Sequence, residues 1–155
     1  MLAAQFNSVT SSDSKKSGLI GATLGNFGHI SYGQSVMGRL YYPVDNQDGC
    51  RPFTGTDFNH HWEDQEEDGT ISAIVIVDRG NCHFVTKVEN LQQVGARLAI
   101  IADNKDEAVT VVMANDGSGW EVNIPSFFIS KTEGEKLKDF LTENVEEKVY
   151  VAADL

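Results

Sequence analysis

Asp78-Arg79-Gly80-Asn81-Cys82-His83 places a carboxylate, a guanidinium, a thiol and an imidazole in one short stretch. Two kinds of chemistry suit it. In the first, His83 works with Cys82 or Asp78 as nucleophile and base. Neighbouring positions at a helix start point in different directions, so that pairing is geometrically poor. In the second, the stretch binds an acceptor or an anion. Backbone N–H groups before a helix lack partners, the helix dipole favours negative charge there, and Arg79 adds a forked donor. A plainer role stands beside these, in which Gly80 only makes the turn and Arg79 pairs with a nearby carboxylate.

The flanking residues define the elements that would position this turn. Residues 73–77 are apolar and mostly β-branched, which suits a strand covered on both faces, and Asp78 ends it. Beyond the turn, Phe84, Val88, Leu91 and then Val94 or Gly95 recur at helical spacing, with Lys87, Glu89, Gln92 and Gln93 assigned to the polar face. A helix of about three turns follows from that spacing. The apolar run 98–102 completes a strand, helix and strand crossover, closed by Asp103-Asn104.

Other reactive side chains are scattered. Cys50 lies in a polar loop and Cys82 at the helix start. Oxidised together, they would tie that loop to the turn and contribute about 3 to 4 kcal/mol, which implies an oxidising compartment. Left reduced, Cys82 would be an activated thiol. The segment 49–70 carries His60-His61-Trp62 and the acidic cluster Glu63, Asp64, Glu66, Glu67 and Asp68. Adjacent histidines rarely ligate one ion, and no zinc or calcium spacing follows, so a solvated acidic loop is expected and no metal or cofactor. His29, His60, His61 and His83 read as surface residues, with His83 the one placed to act as an acid-driven release switch.

Composition narrows the class. The chain has 155 residues, 41% of them hydrophobic, which fits one ordinary domain spanning 1–155. The 23 acidic and 12 basic residues give a net charge of −11, which repels nucleic acids and acidic membranes. Basic or neutral peptides are better-matched partners. No run approaches a membrane span and the amino end lacks a signal-peptide pattern, so this stretch is expected to be soluble, without direct membrane contact.

Along the chain, an edge strand is expected over 5–10, an apolar run over 19–24, and a strand over 36–42 that Pro43 terminates. Between the last two, glycines bracket Asn26-Phe27 in a loop that allows close backbone approach. Further strands are expected over 109–113, 126–129 and 148–152. Ser130 or Thr132 can cap a helix whose inward stripe is Leu137, Phe140 and Leu141. The whole is an α+β chain of about seven strands and two principal helices, arranged as two small sheets with the helices against one side.

Taken together, Asp78-Arg79-Gly80-Asn81-Cys82-His83-Phe84, the helix reaching Gly95-Ala96, the strand 98–102, and Ile124-Pro125-Ser126 followed by Lys131-Thr132-Glu133-Gly134 resemble a protease-associated (PA) domain in order and spacing. Leu24-Gly25-Asn26-Phe27-Gly28, Tyr32-Gly33, Gly38, Tyr42-Pro43 and Asn46-Gln47 before Cys50 resemble the luminal domain of vacuolar sorting receptors. The resemblance implies two small sheets forming an open sandwich or barrel with two main helices at its side. It also implies a Cys50–Cys82 disulfide and a non-catalytic domain of a larger membrane receptor. Such a domain would recognise sorting peptides of soluble cargo on the luminal side of Golgi, prevacuolar or vacuolar membranes, or outside the cell. The implied peptide-binding residues are Arg79, Gly80, Asn81, Cys82 and His83, with Asn26, Phe27 and Gly28 as an opposite lip and an edge strand pairing with the peptide backbone. Asn81 stands where those receptors have an acidic residue and His83 where they have tyrosine, so peptide preference is expected to differ. The alternative implied by the resemblance is a substrate-recruiting or spacer domain of a transmembrane RING ubiquitin ligase or of a peptidase.

Overall fold

The computed structural model describes residues 2–8, 18–24, 35–58, 72–105, 122–143 and 149–154. The strands are β1 (Leu2–Ser8), β2 (Gly18–Leu24), β3 (Ser35–Tyr41), β4 (Ser72–Asp78), β5 (Leu98–Ala102), β6 (Ser126–Ile129) and β7 (Val149–Asp154). The helices are α1 (Phe84–Gln93) and α2 (Lys131–Glu143), and a short 3-10 turn covers Gly55–Asp57. The strands close into a barrel in the order β1-β2-β6-β5-β4-β3-β7. The expected sandwich or barrel is thus a barrel, with the strands of the two expected small sheets joined edge to edge.

Closure corrects two expectations. The amino-terminal strand is not an edge, because β1 pairs antiparallel with both β2 and β7. Nor is any described strand the edge strand expected to pair with a peptide, because each has a paired neighbour on both sides. The expected strand at 109–113 lies outside the described residues.

The apolar run in β4 is explained by its neighbours. It pairs parallel with β3 on one side and with β5 on the other, so both faces need covering. Side chains alternate along a strand. Ala73, Val75 and Val77 pack with Val85, Val88 and Leu91 of α1. Ile74 and Ile76 pack with Leu98, Ile100, Phe127 and, from α2, Leu137 and Leu141. Ser130 caps α2 by accepting from the Glu133 N–H at 3.2 Å, which decides between the two expected caps.

Candidate functional site

Four parallel neighbours, β3 to β6, end on the same side of the barrel. The residues that follow them are therefore brought together: 44–51 after β3, Arg79 to Asn81 after β4, Asp103 and Asn104 after β5, and the start of α2 after β6. Between them lies a cleft of about 820 Å³. Clefts outside the carboxyl ends of parallel strands are where such sheets bind ligands.

The turn has an unusual backbone. Gly80 has φ 122° and Asn81 has φ 68°, and left-handed geometry suits glycine and asparagine above other residues. The Arg79 N–H donates to the Ala102 carbonyl at 2.9 Å, and the Asp78 N–H donates to the Gln47 carbonyl at 2.8 Å. Cys82 is disulfide-bonded to Cys50 with Cα atoms 5.8 Å apart, so its sulfur is no free nucleophile. His83 is exposed and starts α1 without a side-chain cap.

Arg79 does pair with a carboxylate. Its Nη1 donates to Oδ1 of the buried Asp103 at 3.1 Å, and its guanidinium lies 5.9 Å from the ring centres of both Phe84 and Phe128. About a quarter of the side chain still reaches solvent, at 26% exposure. The pairing and the aromatic shelf aim the guanidinium at the cleft it lines.

The facing loop is built by its own carboxylates. Asp48 Oδ2 accepts from Asn81 Nδ2 at 2.9 Å and its Oδ1 from the Cys50 N–H at 3.1 Å. These bonds, the Asn81 one foremost, hold its carboxyl below the usual carboxylate range. Asp57 accepts two bonds from Arg51 at 3.1 and 2.7 Å and one from the Thr54 N–H at 2.8 Å. The Arg51 bonds lead in lowering the Asp57 pKa. Val44, 42% exposed, gives the rim an apolar contact.

On the opposite side, Lys138 of α2 donates to Asp78 Oδ1 at 2.8 Å, while the Tyr42 hydroxyl donates to Oδ2 at 3.0 Å. Burial, followed by the charge of Asp78 and the bond to it, pushes the Tyr42 phenol well above its usual range. Gly134 lets α2 approach: a Cβ there would lie 2.6 Å from the Ala102 Cβ. The cleft thus mixes Asp45, Asp48, Asp78, Asp103 and Glu135 with Arg51, Arg79, Lys131 and Lys138, unlike the strongly acidic chain as a whole. Such a lining offers partners to both the donors and the acceptors of a polypeptide.

The structure brings Arg79, Gly80, Asn81, Cys82 and Cys50 together, whereas Asn26, Phe27 and Gly28 lie outside the described residues, as do His60, His61 and the acidic cluster at 63–68. One assignment is corrected. Lys87 is not on the polar face of α1 but fully buried, donating to the carbonyls of Gly80 and Asp48 at 2.6 Å each. Its sequence signal was its place three residues after Phe84 and four before Leu91, inside the apolar stripe. Tyr42, Asp103 and Lys138 were also missed as site residues.

The model of the PA domain family matches residues 36–137, and the chain belongs to that family. Among its relatives, vacuolar-sorting receptor 3 of Arabidopsis thaliana is 39% identical over 137 residues, covering 84% of this chain and 21% of that protein. Vacuolar-sorting receptor 1 of Pisum sativum is 36% identical over 141 residues, covering 87% and 21%. A receptor homology region, transmembrane domain- and RING domain-containing protein 1 of Oryza sativa subsp. japonica is 35% identical over 101 residues, covering 65% and 17%. The chain spans about one fifth of the length of these relatives. An aminopeptidase from Aneurinibacillus sp. strain AM-1 has the same fold, with a TM-score of 0.63 at 18% identity over 99% of this chain and 30% of that one.

Proposed function

We propose that this PA domain, residues 1–155, is the peptide-recognition unit of a larger membrane-anchored cargo receptor and performs no catalysis. The observation that carries this reading is the cleft at the carboxyl ends of β3 to β6, with the Arg79 turn as its braced wall. An extended peptide lying there places a carbonyl or carboxylate against Arg79 and the N–H groups of Gly80 to Cys82, with His83 at the margin. Recognition proceeds through these donors and the charged lining instead of strand addition. The similarity to vacuolar-sorting receptors supports soluble cargo carrying sorting peptides as the partner class, and the lumen of Golgi to vacuolar compartments, or the cell exterior, as the location. Substrate recruitment for a RING ubiquitin ligase is the second reading, favoured by the rice relative.

The test is a peptide-library screen on the oxidised chain, with wild type and Arg79→Ala side by side. Arg79→Ala weakens the selected peptide by about 1 to 3 kcal/mol when a charge-assisted bond is lost. Unfolding is measured in parallel, because the substitution also leaves Asp103 without this ion pair. A peptide that binds both proteins equally removes Arg79 from the site. A screen without a selective binder removes the reading itself.

A further inference from the structure

Lys87 is among the largest fully buried side chains of the described residues, and its surroundings are unusual for a cation. Its ammonium is matched by backbone carbonyls, those of Gly80 and Asp48 at 2.6 Å, with Cys50 Sγ at 3.5 Å. The carboxylates of Asp48 and Asp78 act on it only through their fields, and burial, the leading effect, lowers its pKa. An aliphatic side chain of similar length would fill the same space without desolvating a charge. The ammonium therefore has a task beyond filling the core.

The peptide plane above it shows what that task is. No cis peptide occurs among the described residues, so the Gly80 carbonyl and the Asn81 N–H point in opposite directions. With the carbonyl held down on Lys87, the Asn81 N–H is turned away from the lysine, and no hydrogen bond among the described residues uses it. Polarising a carbonyl with an ammonium also strengthens the N–H of the same peptide group as a donor. Left-handed backbone at both Gly80 and Asn81 is the conformation this arrangement holds in place.

We infer that Lys87 is the positioning residue of the binding turn: its buried ammonium fixes the Gly80–Asn81 peptide so that the Asn81 N–H is an outward donor for a main-chain carbonyl or a carboxylate of the bound peptide. The inference rests on the peptide-binding reading above and adds the residue that sets the geometry.

The experiment compares wild type with Lys87→Met by backbone NMR and by titration with the library-selected peptide. Lys87→Met is expected to weaken the peptide about tenfold with the disulfide intact, as for one lost hydrogen bond. A merely structural lysine would not move the Asn81 amide proton. In wild type the Asn81 amide proton shifts downfield on peptide addition, and in free Lys87→Met it already lies upfield of its wild-type position. Wild-type affinity in Lys87→Met, or an Asn81 amide proton indifferent to the peptide, overturns the inference. If no peptide binds wild type, the peptide-binding reading fails on its own, and the free-protein shift of Asn81 still decides what Lys87 does. Should Lys87→Met not fold, couplings across hydrogen bonds from the wild-type Lys87 ammonium to the carbonyl carbons of Gly80 and Asp48 decide instead: their presence supports the assignment and their absence overturns it.

Discussion

The wall of the cleft formed by the Arg79 turn and residues 46–51 is tied by a disulfide, a buried ammonium and the side-chain amides of Asn81 and Asn90. The wall formed by α2 is held by Leu137 and Leu141 in the core, one close glycine contact and the Lys138–Asp78 pair. The first set of ties is covalent or directional and fixes individual main-chain groups. The second is mostly apolar burial, which is non-directional and tolerates small shifts. One wall is therefore fixed in advance, which on the proposed peptide-binding reading would lower the ordering cost of binding there. The other is able to adjust its position.

The largest expected effect breaks the first wall. Cys82→Ser, or reduction of the bridge, removes a constraint between residues 32 apart in sequence and costs about 3 to 4 kcal/mol of unfolding free energy. Denaturant unfolding with and without a thiol reductant measures it. Next is the second wall: Gly134→Ala sets a methyl group 2.6 Å from the Ala102 Cβ, so α2 must move off β5. The expected cost is about 1 to 3 kcal/mol, read by the same unfolding titration. Protection of the Arg79 turn against hydrogen exchange should stay unchanged, and its loss would show that the walls are not independent. Lys138→Met is a milder probe of α2. The pair it removes is part-exposed on both sides, so about 1 kcal/mol is expected, and Asp78 keeps the Tyr42 hydroxyl.

The smallest effect is a matter of pH. Asp57 and Asp48 both have carboxyl pKa values lowered by folding. Their stabilisation is complete above the unfolded carboxylate value of about 3.9 and is lost as pH falls through the lower folded values. Asp57→Asn should flatten the acid limb of stability below that value and leave the slope between pH 5 and 8 unchanged. A slope altered near neutrality would assign the loop's stability to another group.

Much of this was legible in the sequence, for physical reasons. A β-branched run without polar interruption has to be covered on both faces, and β4 is. The crossover from 72 to 102 follows from one change of apolar period, and the turn at Arg79-Gly80-Asn81 was legible, although its left-handed backbone was not. What stayed hidden depends on contacts between distant segments. Strand pairing across the barrel turned an expected edge into an interior strand, because β1 meets β7 from the other end of the chain. Lys87 looked solvated because its partners are two carbonyls from separate loops, and carbonyls carry no signal in residue type. Asp103 and Lys138 likewise matter only once β5 and α2 have brought them to Arg79 and Asp78.

The most direct test of peptide recognition in this cleft is a structure of the oxidised chain with its selected peptide. Peptide main chain is expected between the Arg79 turn and the amino-terminal part of α2, with an acceptor on Arg79 and on the Asn81 N–H. A peptide bound on another face of the barrel, or added as a strand to it, would rule out the cleft as the recognition site.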